Sequence, residues 1–179
     1  KFFNPDIGGY GSNNQACNSM ALYMDIVPTE LRSPVLENLV SDIVSHDYHL
    51  TTGNLATKYI FDVLAEAGET DIAFKLLTQT SYPGWGYMLK KGATTMWERW
   101  EEATGKGMNS HNHAMYASIG SWFYKYLAGI KLPDSCVGFS DIVVEPIFPT
   151  SLDWVKVELE TIKGKISVSW VKQSTSLIL

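Results

Sequence analysis

The hydrophobic period of this chain changes once, from about 3.6 residues to 2, and that limits the fold to helices followed by sheet. Val35, Leu36, Leu39, Val40, Ile43 and Val44 recur at the spacing of one helical face. Ser33 stands as the expected cap of that helix and Pro34 as its first-turn residue. Leu55, Ala56, Tyr59, Ile60, Val63 and Leu64 repeat the pattern and stop at Gly68, a C-terminal cap, with Thr51 or Thr52 placed to cap the start. Ile72, Ala73, Leu76 and Leu77 make a shorter helix, and Ile119, Trp122, Phe123, Tyr126 and Leu127 another that ends at Gly129. An earlier helix runs from near Asn14 to Asp25, ahead of Pro28.

After Pro133 the period is 2. Ile142 to Val144 is a short apolar run bounded by Pro146. Trp154 to Thr161 alternates with Val155, Val157 and Leu159 on one face, Lys163-Gly164-Lys165 turns the chain, and Ile166, Val168 and Trp170 alternate on the return. A further strand begins at Ser176. The expected division is residues 1–132, helical, and residues 133–179, β. The helices pair as hairpins, and the loop from Ser81 to Ser110 is too long for the short connections of a four-helix bundle. A toroid of helical hairpins with a pocket formed by the loops at one end is the first reading, and the bundle the second.

Composition narrows the function classes. An apolar share of 45 % supplies a core, and a net charge of −5 without runs gives no electrostatic case for nucleic acid or an anionic membrane. No stretch approaches the roughly 20 apolar residues that span a bilayer. Cys17 and Cys136 lie far apart and read as two buried free thiols rather than a bridge or a metal site. The chain opens at Lys1, without an initiator Met or a leader, so sequence upstream is expected and the cell compartment is not readable.

The chemistry concentrates in one segment. Tyr82-Pro83-Gly84-Trp85-Gly86-Tyr87 and Gly92-Ala93-Thr94-Thr95-Met96-Trp97-Glu98-Arg99-Trp100 bring five aromatic rings, one carboxylate and one guanidinium together. Flat Trp and Tyr faces suit the C–H face of a sugar ring, and a Glu between Trp97 and Arg99 has the partial desolvation and nearby cation of a tuned carboxylate. The same Trp-Glu-Arg-Trp run also fits a helix start with core tryptophans and Glu98 paired to Arg99 or Lys106. A second cluster, Asn109-Ser110-His111-Asn112-His113, precedes the last helix. Two histidines at i, i+2 lack a third metal ligand at suitable spacing, so a pocket-facing histidine or polar capping by Asn109 or Asn112 is preferred to a metal. His49 sits in a loop at the same end, and His46 falls on a solvated helix face. Gly8-Gly9-Tyr10-Gly11 opens no phosphate-binding strand–turn–helix.

Together these segments resemble the bacterial and fungal α-L-rhamnosidases of glycoside hydrolase family 78. The matching stretches are Gly11 to Glu30, His49 to Tyr59, Asp71 to Trp85, the Gly-Ala-Thr-Thr-Met-Trp-Glu-Arg-Trp string to Trp100, and Asn109 to His113. The likeness runs in register from about residue 8 to about residue 172, and the Gly92–Trp100 string is its specific part. The resemblance implies the last hairpins of an (α/α)6 barrel followed by a partial antiparallel β-sandwich. It implies an inverting hydrolase in which Glu98 is the general base, His113 contacts the sugar, and loop aromatics such as Trp85 do so too. The candidate substrate-binding set is His113, Trp85, Trp97, Arg99, Trp100, His49 and Asn112.

The family's general acid lies in an earlier motif that nothing here matches, so the acid is expected from the remainder of the parent barrel. Ala114-Met115-Tyr116 also departs from the family, where Asn-His is usually followed by Tyr and a small residue. The expected partner is a rhamnose-containing glycoside or polysaccharide, and this chemistry requires no metal or organic cofactor. A six-hairpin enzyme for another sugar, a non-catalytic carbohydrate-binding piece and a purely structural role for the tryptophans are the rival readings.

Overall fold

A computed structural model describes residues 2–107, 110–173 and 176–179; Asn109, one of the capping candidates, lies outside them. The chain forms two compact units, residues 1–118 and 119–179.

The first unit is helical. A small antiparallel hairpin, β1 (Phe3–Asn4) and β2 (Gly9–Tyr10), precedes α1 (Gln15–Tyr23). Asn14 caps α1 by accepting from the Cys17 amide at 2.9 Å, which satisfies one of the donors a helix start leaves open. The next helix, α2 (Arg32–Ser45), follows a 3-10 turn at Thr29–Leu31, and Val35, Leu39 and Ile43 are fully buried along it at the expected spacing. Ser33 is not its cap. The helix has already begun at Arg32, so Ser33 and Pro34 sit inside the first turn, where a proline's missing N–H costs nothing.

In α3 (Thr57–Glu66) the face Ile60, Val63 and Leu64 is buried, while Leu55 is exposed ahead of the helix. Neither Thr51 nor Thr52 caps it. Thr57 closes its own first turn on the Gly53 carbonyl at 2.8 Å, and the Thr52 hydroxyl packs against that of Thr57 at 2.8 Å. Next come α4 (Thr70–Leu77) and the short α5 (Trp85–Lys90), which lies within the segment expected as one long loop. An α5 start at this point needs Gly86, because a Cβ there would meet the Gln79 carbonyl oxygen at 2.5 Å. Helix α1 packs against both α2 and α3, and α3 against α4.

The second unit opens with one α turn, α6 (Ile119–Trp122), which widens into a π-type turn over Phe123–Leu127. The chain then enters strand β3 (Ile130–Lys131), which pairs antiparallel with β4 (Val143–Val144). The main hairpin is β5 (Trp154–Thr161) with β6 (Gly164–Lys172), extended by β7 (Leu177–Ile178). Thr161 pairs with Gly164, so the connecting turn is Ile162-Lys163, one residue earlier than the sequence reading places it. Ala128, Ile130 and Val168 form the core of this unit, with Val144, Val157, Leu159 and Ile166 packed on it. The Trp170 indole donates to the Leu127 carbonyl at 2.7 Å, tying the sheet to the end of the helical turn.

Both cysteines are free thiols, but half-buried rather than buried as expected. Among the described residues no helix is long and apolar enough to cross a membrane, and no group of three or more His, Cys, Asp or Glu could hold a metal.

Gly129 joins the π-type turn to β3 at φ +71°, and a Cβ there would lie 2.1 Å from the Pro146 nitrogen. Gly68 has a comparable φ of +81° but open space around it. Gly68→Ala should therefore cost only the left-handed backbone penalty of about 1–2 kcal/mol. Gly129→Ala should cost clearly more, read from urea unfolding of the two variants.

Candidate functional site

Three connections of the first unit converge on one open hollow of about 330 Å³. The loop before α3 contributes Thr51 to Asn54, the loop before α5 contributes Tyr82, and the irregular stretch after α5 contributes Glu98 to Glu101, with Tyr116 behind. The Trp97–Trp100 stretch is not a helix start. Trp97 and Trp100 are buried at 6 % each, whereas Glu98 is half-buried and Arg99 exposed.

What holds that stretch is a set of main-chain and indole hydrogen bonds. The Glu98 amide donates to the Ser110 carbonyl at 3.0 Å, and the His113 amide donates to the Met96 carbonyl at 2.8 Å. These two bonds lay the two chemistry-bearing segments of the sequence side by side, reinforced by the Thr95 hydroxyl on the His111 carbonyl. On the other flank the Asn54 side-chain amide reaches the Glu98 carbonyl at 3.4 Å. Trp100 donates its indole N–H to the Thr52 carbonyl at 2.8 Å and stacks on Tyr116 with ring centres 3.8 Å apart. Trp85 meets Trp100 edge-on at 5.1 Å and donates to the Tyr116 carbonyl at 3.2 Å. Buried indole donors with main-chain partners are the ordinary way to keep loop carbonyls satisfied away from water.

The expected residues are brought together only in part. Glu98, Arg99 and Trp100 line the hollow. Trp85, 7 % exposed, instead borders an apolar depression with Met88 and Leu89, and Trp97 borders a third with His111. The faces of Trp85 and Trp100 pack within the unit, and Trp97 meets the His111 ring at 5.4 Å. His113 is fixed through its backbone to Met96, two positions before Glu98, and is not in the lining of the hollow; its Nδ1 accepts from the Met115 amide at 3.3 Å, so in the neutral ring Nε2 carries the proton. Asn112 is exposed, its backbone N–H donating to the Ser110 hydroxyl at 3.0 Å. His49 bonds Ser81 through Nε2 at 2.7 Å and the His46 carbonyl through Nδ1 at 3.1 Å.

The cation beside Glu98 is differently engaged than its spacing indicates. The ion pair of Arg99 runs to Glu101 at 2.9 Å, with a second bond to the Gly107 carbonyl at 3.4 Å. Glu101's own backbone N–H and then Arg99 hold its carboxyl below the usual range, and the hydrogen bond to Glu101 raises the guanidinium in turn. Burial, then Glu101, pushes the phenols of Tyr82 and Tyr116 up, so both are neutral hydroxyl groups at ordinary pH. Glu101, Asn54 and Tyr116 escaped the sequence reading as site residues. Only Glu101 carried a signal there, as a second carboxylate three positions beyond Glu98.

A further residue acts from behind. Gln15 is fully buried, its Nε2 donating to the His49 carbonyl at 3.0 Å and its Oε1 accepting from the Thr51 amide at 2.9 Å. It pins the loop that forms one wall of the hollow, and no local pattern announces it.

Residues 1–127 match the family described as bacterial alpha-L-rhamnosidase 6 hairpin glycosidase domain, and residues 129–179 match the bacterial alpha-L-rhamnosidase C-terminal domain. An alpha-L-rhamnosidase of Streptomyces avermitilis is 35 % identical over 178 residues, covering 96 % of this chain and 17 % of that protein. One from Alteromonas sp. is 37 % identical over 183 residues, covering 97 % and 20 %. The S. avermitilis enzyme solved with L-rhamnose superposes at a TM-score of 0.89 with 33 % identity, covering 98 % of this chain and 17 % of that one. The alpha-L-rhamnosidase of Dictyoglumus thermophilum gives 0.84 with 45 % identity, covering 89 % and 18 %. The chain thus spans about a fifth of the length of these relatives.

The Trp100 hydrogen bond can be weighed separately from its ring. Trp100→Phe keeps an aromatic face for Tyr116 but orphans the buried Thr52 carbonyl, which should lower stability by about 1–3 kcal/mol. The check is the shift of the urea unfolding midpoint.

Proposed function

Because the chain belongs to the bacterial alpha-L-rhamnosidase six-hairpin glycosidase family, we propose that it is part of an inverting hydrolase that releases terminal α-L-rhamnose from a glycoside or polysaccharide. Glu98 is the general base. The observation that carries this is the pairing of Met96–Glu98 with Ser110–His113, in which a half-buried residue, Glu98, lines an open hollow and the paired segment carries a histidine whose Nε2 is a donor. Inversion needs a base to activate water on one face of the sugar and an acid to protonate the leaving oxygen on the other, about 6.5–9.5 Å away. The acid comes from the rest of the parent barrel, a reading supported by the small share of each relative that this chain spans.

In this assignment His113 donates to a sugar hydroxyl, Arg99 lends positive potential and donors, and the Trp100 edge limits the hollow. Trp85 and Trp97 support these groups from within, and His49 and Asn112 shape the rim. Residues 1–132 complete the barrel and 133–179 begin the β-sandwich domain.

The test uses the parent enzyme at natural length on an aryl α-L-rhamnoside, with the released anomer followed by NMR. The wild type should release β-L-rhamnose, and Glu98→Gln should lower kcat by about 10²–10⁴ with little change in KM. A kcat within a few-fold of wild type would remove Glu98 from the role, and release of the α anomer would remove inversion.

A further inference from the structure

Glu101 lies in the same hollow as Glu98 but is not needed to activate water, and its geometry calls for a use. Its side chain is 44 % exposed and that of Arg99 47 %, so both carry their polar ends towards solvent while Trp97 and Trp100 between and beside them are buried. Arg99 reaches Glu101 with one N–H and the Gly107 carbonyl with another. A guanidinium has five donors and a carboxylate about four acceptor sites. The bonds drawn among the described residues therefore leave capacity on both groups, which line the same hollow. Around them stand Tyr82, Tyr116 and the Thr51–Asn54 loop, which close the hollow on the other sides.

We infer that Glu101 and Arg99 form an acceptor–donor pair that grips two neighbouring hydroxyls of the bound sugar and so sets which sugar the hollow takes. A vicinal diol presents one hydroxyl able to donate and another able to accept at the spacing of adjacent ring carbons. A carboxylate–guanidinium pair already joined by a hydrogen bond offers the matching acceptor and donor side by side. The low carboxyl pKa of Glu101 fits this use, since an ionised carboxylate is an acceptor only and keeps the polarity of the pair fixed. The inference rests on the proposed function, because it takes the sugar to sit over Glu98.

The experiment compares the wild-type parent with Glu101→Gln and Glu101→Asp on an aryl α-L-rhamnoside and its 2-, 3- and 4-deoxy analogues. For Glu101→Gln, kcat/KM on the full sugar should fall about 10–100-fold, mainly through KM, since a hydrogen bond to a charged group contributes about 1.5–3 kcal/mol. On the analogue lacking the hydroxyl that Glu101 holds, wild type and variant should differ by less than about threefold. Glu101→Asp, which keeps the charge, should recover part of the loss. An equal loss on every analogue, or a loss that tracks a lowered melting temperature, overturns the grip and leaves Glu98 untouched. A wild type that turns over none of the rhamnosides overturns both readings together.

Discussion

The hydrogen bond from the Trp100 indole to the Thr52 carbonyl spans 48 positions of sequence, and the hollow depends on it. A loop carbonyl turned inward must find a donor or cost the fold the desolvation of an unpaired group. Trp100 supplies that donor and, with the same ring, stacks on Tyr116, while Trp85 closes the cluster edge-on and donates to the Tyr116 carbonyl. One aromatic group thus fixes three separate connections of the helices. The rings anchor the backbone and leave the recognition chemistry to the polar groups between them.

The second constraint is polar. Gln15 spends both ends of its amide on the loop at His49 and Thr51, and the buried Asn18 does the same for the first hairpin, accepting from the Tyr10 amide at 3.0 Å and donating to Asn13 at 2.7 Å. Both sit on α1, the helix that packs against α2 and α3. A fully satisfied buried amide is worth little net energy but strongly disfavours alternatives in which it is half-satisfied. Loops built this way can carry chemistry without the regular backbone pairing of a sheet.

How much of this was legible in the sequence follows from what each signal measures. Periodicity reports which side of an element is buried, so Val35, Leu39 and Ile43, and the alternation of Val155 against Trp170, identified their elements and faces. Helix starts were less legible. The structure begins α2 at Arg32 and α3 at Thr57, where tertiary packing and a 3-10 turn outweigh the capping preferences of Ser33, Thr51 and Thr52. One reading of the sequence pairs Arg99 with Glu98; the short ion pair goes to Glu101, and Glu98 acts on Arg99 only as a weaker charge. Side chains one apart diverge, and Glu101, two positions on, returns to the same side. Gln15 had no signal at all, since nothing local distinguishes a buried amide from a solvated one.

The charge balance of the hollow bears on what can enter it. Its charged lining, among the described residues, is Glu98, Arg99 and Glu101, two carboxylates against one guanidinium, with the neutral phenols of Tyr82 and Tyr116 and the Thr51–Asn54 loop completing the wall. An anionic sugar would bring a third negative group against two carboxylates and one guanidinium that is already paired to Glu101, which is unfavourable on charge alone. The neutral sugar proposed as substrate meets no such penalty. The proposed reaction sets its own requirement. In the role proposed for it Glu98 has to be ionised and able to take a proton from water. Arg99, joined to Glu101 at 2.9 Å and held charged by that bond first and by Glu98 last, is the cation that both carboxylates of the lining face.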